Sequence, residues 1–265
     1  MMRTLFAGLA LIASMSMASA ETIRMAVTTS FHNSGLSDIL VPAIKEDLGL
    51  DVELLVVGTG QALRLGEAGD VDAILVHSRS AEEEFVAQGY GLHRREIMYN
   101  DFVFIGSKDD PADIAEAQSV TDVLTRIAIS ESVFVSRGDD SGTHKRERAL
   151  WEEAGIDPAG DWHRELGTGM GGTLNTAAGM NAYLVSDRAS WLNFGNKGDL
   201  ALLYSGDHRL FNQYAYLPVN PALHPHVKAE LAASLEEWLV GDHAKSLIND
   251  YEINGETLFT FNAQN

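Results

Sequence analysis

The chain has no cysteine among its 265 residues. That excludes disulfides, thiol catalysis, thiolate metal sites and the lipidated cysteine that tethers many bacterial export products. Basic residues are scarce: 19 Lys and Arg stand against 38 Asp and Glu, a formal net charge of −19. A chain of that sign repels nucleic acid, which is therefore not an expected partner. Long apolar runs are missing as well, since the stretch from Leu5 to Ala13 is too short to span a bilayer and nothing later is long enough. There is no H-E-x-x-H and no histidine-rich loop, and the closest pair among nine histidines is His224-Pro225-His226. No metal and no cofactor is expected from that scatter. Internal repeats and low-complexity tracts are also absent.

What is present begins with Arg3, the apolar run, and then Ala18-Ser19-Ala20, an A-x-A pattern. This reads as a secretory signal peptide over residues 1–20, cleaved after Ala20, with the mature protein free in the periplasm and not inserted in the membrane.

From Glu21 onward, strands alternate with helices. Thr22 to Val27, Val52 to Val57 and Val71 to Val76 read as buried strands. Between them fall a helix over Gly35 to Asp47 and a short one over Gln61 to Glu67, with Thr28-Thr29-Ser30 and Gly58-Thr59-Gly60 as connecting turns. Phe102 to Gly106 is a further strand, and Lys108-Asp109-Asp110-Pro111 marks a break. Tyr183 to Val185, Leu200 to Tyr204 and Tyr214 to Val219 continue the strands, and an amphipathic helical pattern runs from His226 to Leu239. The expected fold is α/β with two lobes, each a mostly parallel sheet flanked by helices. The expected crossings near Ser107 and Gln213 form a two-segment hinge, giving lobe I as residues 21–107 and 214–265 and lobe II as residues 108–213. In such sheets ligands sit at the carboxyl ends of strands, where Thr28 to Ser30, Thr59 with Gly60, and His77 with Ser78 all fall.

The segment Ser136-Arg137-Gly138-Asp139-Asp140-Ser141-Gly142-Thr143-His144 leads into a helix-like stretch from Lys145 to Ala154. Free N–H groups at Ser141, Gly142 and Thr143, two hydroxyls and the helix dipole can meet one oxyanion there, and Arg137 adds a planar charged fork. The plainer reading is that Asp140 or Ser141 caps a surface helix. Lys145, Arg146 and Arg148 near its start and Glu152 and Glu153 near its end reverse the order that the dipole favours, which suits an anion site better. Gly167 to Thr173 is a second pliable loop, ahead of a helix over Leu174 to Asn181; it matches neither the dinucleotide nor the P-loop pattern. Gly138-Asp139-Asp140-Ser141-Gly142 superficially resembles the nucleophile motif of chymotrypsin-like proteases, but the extra aspartate breaks it and no G-x-S-x-G elbow is present. The chain does not read as an enzyme; a secreted phosphate-ester hydrolase is the alternative of another class.

Val27-Thr28-Thr29-Ser30, Ser34-Gly35-Leu36 with Pro42, Val57-Gly58-Thr59-Gly60-Gln61-Ala62, Asp70 to His77, Ser136 to His144, Gly167 to Met170 and Ala182 to Phe194 together resemble the periplasmic solute-binding proteins of ABC transporters that carry tungstate. Val27 departs from that family's pattern, where a further threonine stands. The Arg-x-Asp-x-Ser-Gly-Thr element is also similar to one in periplasmic phosphate-binding proteins, so on its own it points to a tetrahedral oxyanion, with molybdate, phosphate and sulfate as alternatives. The resemblance implies a hinged, monomeric two-lobed binding protein that delivers its anion to a membrane permease. It further implies an anion gripped by Thr28, Thr29 or Ser30 and by Thr59 or Gly60 from one lobe. Arg137, Ser141, Gly142, Thr143 and the loop at Gly169 and Met170 would grip it from the other.

Overall fold

The computed structural model describes residues 21–139 and 141–264, so the expected signal peptide with its cleavage site, and Asp140, lie outside it. β1 (Thr22–Thr28) is almost wholly buried, with β2 (Asp51–Val57) and β3 (Ala73–Val76) parallel to it on either side. Parallel neighbours need crossovers, here α1 (Thr29–Asn33) with α2 (Ser37–Leu48), and α3 (Thr59–Ala68). The chain turns sharply out of α2 at Gly49, whose φ of 66° lies in the left-handed region.

α4 (Arg79–Ala87) leads to β4 (Arg95–Ser107), a strand of 13 residues. The middle of the chain follows with α5 (Val120–Ser130), β5 (Phe134–Ser136), α6 (Gly142–Glu153), β6 (His163–Glu165) and α7 (Met170–Met180). β7 (Leu184–Asp187), α8 (Arg188–Asn193) and β8 (Leu200–Tyr204) complete it. The return is by β9 (Phe211–Pro218), α9 (Ala229–Leu239) and α10 (Asp242–Asn249), then the short strands β10 (Glu252–Ile253), β11 (Glu256–Thr257) and β12 (Thr260–Phe261).

One eight-stranded sheet carries the fold, along the path β12-β4-β9-β3-β1-β2 with β7 and β8 added to β4. β4 joins its two parts: Arg95 to Asp101 pair with β9, and Phe102 to Ser107 pair with β7 and β8. Parallel pairing is found in β2-β1-β3 and in β5-β6, whereas β4 and β9 run antiparallel to their neighbours. The fold is two-lobed. Phe102, Phe104, Phe134, Trp151 and Tyr183 form a core of the middle segment, and Ala26, Ile74, Phe85 and Leu217 form one beneath α3 and α4. The largest core runs from Ile23 and Leu36 to Leu184 and Trp191.

The structure redraws several local boundaries. Thr28-Thr29-Ser30 is not a plain loop, because the Thr28 hydroxyl accepts the Phe31 N–H and starts the single turn of α1. α2 therefore begins at Ser37 rather than Gly35, keeps Pro42 inside it, and leaves Ile39 and Leu48 exposed. Gly58 caps α3, which begins at Thr59 in the expected turn, and α7 starts at Met170, inside the glycine-rich stretch rather than at Leu174. Phe102 to Gly106 is only the second half of β4.

Candidate anion-binding site

The register of β1 fixes the first part of the site. Thr28 lies opposite Val57 and Val27 opposite Leu75, so α1, the start of α3 and the His77-Ser78 turn leave the sheet side by side. Thr28 is buried, Thr29 exposed and Ser30 half-buried. Ser30 Oγ lies 3.1 Å from Thr28 Oγ1, 2.9 Å from His77 Nε2 and 3.2 Å from Tyr214 Oη. Burial pushes the His77 ring down to about 4 and the Tyr214 phenol up to about 12, so both are uncharged near neutral pH. The fully buried Glu82 accepts the Ser78 N–H and the Arg94 Nε–H, the latter at 2.6 Å, and this fixes the turn from behind. Strand register alone places Thr59 and Gly60 at this edge. No side chain caps α3, and the Arg64 guanidinium lies 3.5 Å from where a Cβ on Gly60 would sit.

The second part is the segment before α6. Ser141 caps that helix, its Oγ accepting the His144 N–H at 3.2 Å and donating to Asp139 Oδ1 at 2.7 Å. The capping reading of Ser141 therefore holds for its side chain. Arg137 Nε donates to Asp139 Oδ2 at 3.1 Å, and its Nη2 bonds the same oxygen. Desolvation works against the Asp139 carboxylate, but the bonds from Ser141 and Arg137 outweigh it and hold its pKa below the usual range. His144 Nδ1 accepts the Gly138 N–H at 3.3 Å and lies 3.1 Å from Ser136 Oγ, bracing the strand end that carries Arg137. Arg146 is turned away from this site: it donates to the Arg209 carbonyl at 2.9 Å and pairs with Glu153 at 3.2 Å.

The glycine-rich loop is bound to that segment through the backbone. The Leu166 N–H donates to Ser136 O and the Thr168 N–H to Arg137 O, each at 3.1 Å. Gly138 has a φ of 62°, and a Cβ there would stand 3.2 Å from Gly167 N, so the approach requires glycine. Gly169 caps α7 without a side-chain bond, and Met170 is mostly buried at the helix start. Thr143 is buried in the first turn of α6.

The two parts meet at one point: a Cβ on Gly142, the first residue of α6, would lie 3.7 Å from His77 Cε1. The structure thus brings together Thr28 to Ser30, His77, Arg137 to Asp139, Ser141 to Thr143 and Gly167 to Met170, with Thr59 and Gly60 at the start of α3, which follows the adjoining strand β2. N–H groups of α3 and α7 that no side chain caps, the exposed Thr29 hydroxyl and a braced arginine are donors of the kind an acceptor-rich anion takes. Sequence reasoning missed Tyr214 and Asn212 as neighbours of Ser30 and His77, whereas an ion pair in which Asp139 or Asp140 holds Arg137 is one reading of the sequence, and Asp139 makes it. His77 carried a usable signal, because it follows β3 as Thr28 ends β1. Among the described residues no cluster of His, Asp or Glu could hold a metal ion.

Comparison with known proteins identifies the family. The PBP superfamily domain matches residues 15–243. The tungstate-binding protein TupA of Peptoclostridium acidaminophilum is 45% identical over 246 residues, which cover 91% of this chain and 86% of that protein. The structure of the tungstate-binding protein TupA from Desulfovibrio alaskensis G20 superposes with a TM-score of 0.88 at 42% identity, covering 92% of this chain and 100% of that one. The structure of a tungstate ABC transporter protein from Geobacter sulfurreducens gives a TM-score of 0.76 at 45% identity, over 87% and 99% of the two chains. Fold and sequence lead to one assignment: this chain belongs to the PBP superfamily and, within it, to the TupA family of tungstate-binding proteins.

Proposed function

We propose that the chain captures tungstate between its two lobes and hands it to the membrane permease of an ABC transporter. The observation that supports this reading is the approach of Gly142, at the start of α6, to His77, beside Ser30. The donors are Thr28, Thr29 and Ser30 with Thr59 and Gly60 on one side. Arg137, Ser141, Gly142, Thr143, Gly169 and Met170 contribute from the other. The lobes are residues 21–107 with 214–265, and residues 108–213, moving about β4 and the entry to β9.

Neither lobe alone surrounds a dehydrated dianion, so the ligand favours the closed state by bonding both. Charge-assisted hydrogen bonds contribute about 1.5 to 3 kcal/mol each. Several of them, after desolvation and ordering costs, reach about −12 kcal/mol, a nanomolar affinity. A fully deprotonated anion needs donors only. Hydrogen phosphate gains from an acceptor, and Asp139 already uses both oxygens on Arg137 and Ser141. The protein works as a monomer in the periplasm after losing residues 1–20; among the described residues no helix is long and apolar enough to cross a membrane. Its relatives are named as binding proteins rather than enzymes.

The test is calorimetric titration of refolded, ligand-stripped protein with tungstate, in competition with molybdate, sulfate and phosphate. Tight single-site binding that tungstate wins is the expected result. No heat with tungstate, together with saturation by phosphate or sulfate, transfers the cleft to another oxyanion.

A further inference from the structure

Ser30 Oγ has three partners in reach, His77 Nε2, Thr28 Oγ1 and Tyr214 Oη. A serine hydroxyl holds one proton and two lone pairs, so these partners decide where the proton points. The His77 ring also bonds the Asn212 side chain and its own backbone. Nε2 faces Ser30, so those bonds fall to Nδ1. Asn212 donates one amide N–H to Asn100 Oδ1 at 2.8 Å, and its bond to the ring, like the backbone bond, favours the charged ring, as an oxygen that accepts a ring N–H does. By this network the neutral ring carries its hydrogen on Nδ1, and Nε2 accepts the Ser30 proton. Thr28 and Tyr214 then donate to Ser30, and the Ser30 hydroxyl offers no proton to an anion.

Charge points the same way. Arg137 is neutralised by Asp139, so this pair brings no net positive charge to a dianion, on a chain whose formal net charge is −19. The His77 ring lies beside the first residue of α6, at the positive end of that helix, which keeps the ring neutral until a dianion in the cleft offsets that field. The groups around it are Ser30 from α1, Tyr214 and Asn212 from β9 and Gly142 from α6, none charged near neutral pH. The adjoining elements carry the Arg137–Asp139 pair, Lys145, Arg146 and Arg148 of α6, Asp187, which acts on Tyr214, the Arg188–Asp101 pair, Arg79 with Glu83, and the Glu82–Arg94 pair behind Ser78.

We propose that His77 takes up one proton from solvent when a dianion binds, supplying in one event a compensating charge and a donor. The imidazolium keeps its Nδ1–H on Asn212 and the backbone and donates Nε2–H to Ser30 in place of the Thr28 or Tyr214 hydroxyl, which releases its bond, so that the Ser30 proton turns to the anion. His77 is thus a positioning and charge-compensating residue that acts through Ser30. The inference rests on the proposed dianion cleft and adds a rule of selection: a dianion recruits the proton, whereas a monoanion of the same tetrahedral shape does not.

The experiment is titration of the full mature protein with tungstate and, separately, with perrhenate, near neutral pH, in buffers of widely different ionisation enthalpy. Tungstate is already fully deprotonated there, so proton uptake reports the protein. About one proton per tungstate and none per perrhenate is expected. His77→Gln, whose amide can still donate to Ser30 but cannot be charged, should abolish the uptake and weaken tungstate roughly 10- to 100-fold, the loss of one charge-assisted interaction. It should change perrhenate binding less. Tight tungstate binding with heat independent of buffer overturns the inference and leaves the proposed function standing; so does uptake that persists in His77→Gln. Absence of tungstate binding by the unaltered protein overturns the proposed function, and the inference with it.

Discussion

Arg188 closes on Asp101 with two hydrogen bonds of 2.6 Å, one to each carboxylate oxygen, at the residue where β4 leaves β9 for β7. Both side chains are largely buried, with 18% and 12% of their surface exposed. A fork of this kind gives direction as well as energy. It fixes the start of α8 to the strand that passes from one lobe to the other.

Removing one member of such a pair leaves its partner's charge in a poorly solvated place. Arg188→Ala should therefore lower stability by about 3 kcal/mol. Urea unfolding followed by tryptophan fluorescence measures this; an unchanged midpoint would mean that water replaces the guanidinium at little cost.

Arg137 is held in plane by Asp139, which makes it a pre-oriented donor rather than a mobile one. Arg137→Ala should remove about 100-fold or more of the tungstate affinity, with thermal unfolding of the ligand-free protein little altered. Titration calorimetry beside a circular-dichroism melt separates these effects. Undiminished affinity in the variant sinks the assigned role.

The His77 ring is pushed by burial from an ordinary value of 6.5 down to about 4. Between those values the unfolded chain binds a proton that the folded, ligand-free protein does not, so stability rises with pH across this window. The contribution is complete above about 6.5 and is lost as pH falls through about 4. Denaturant midpoints collected at a series of pH values should show that slope, and His77→Gln should flatten it. Parallel curves for the two proteins would place the slope elsewhere.

Gly106, in the second half of β4, leaves no space for a side chain: a Cβ would lie 2.5 Å from the Tyr183 ring and 2.9 Å from Leu203. Tyr183 is fixed by its own bonds, donating to Asp110 Oδ1 at 2.7 Å and accepting the Ala112 N–H at 2.9 Å. Gly106→Ala should cost about 2 kcal/mol through overpacking, read as a lower midpoint with an unchanged denaturant slope. A neutral result would show that Tyr183 can retreat.

Much of the cleft was legible because its residues sit at junctions with local signatures. Thr28, Ser141 and the glycines near Gly169 fall where strands or loops enter helices, where hydroxyls and glycine serve as caps, as Thr28 and Ser141 do, and leave backbone N–H groups free for an anion. Tyr214 was not legible: it reads as one more apolar strand position, and its link to Ser30 spans 184 residues of chain. The first half of β4 was hidden by Arg95, Glu96, Asn100 and Asp101, which interrupt any apolar alternation. Their charges and amides are satisfied by distant partners, among them Glu236, Arg188 and Asn212. α1 escaped notice because a single capped turn is too short to show a period. Arg146 misled in the opposite sense, since its charge near the helix start is spent on the Arg209 carbonyl and Glu153.

β4 is one unbroken ribbon, paired on both sides of the point where the lobes part and irregular in register at Glu96/Met98 and at Phe104/Ile105. A connection of this kind behaves as a torsion bar rather than as a door hinge. On the proposed closure, relative rotation of the lobes is taken up as twist distributed along a hydrogen-bonded ladder and stores elastic energy. On that reading the anion's grip exceeds the restoring torque, and whatever loosens it lets the bar unwind without any further push.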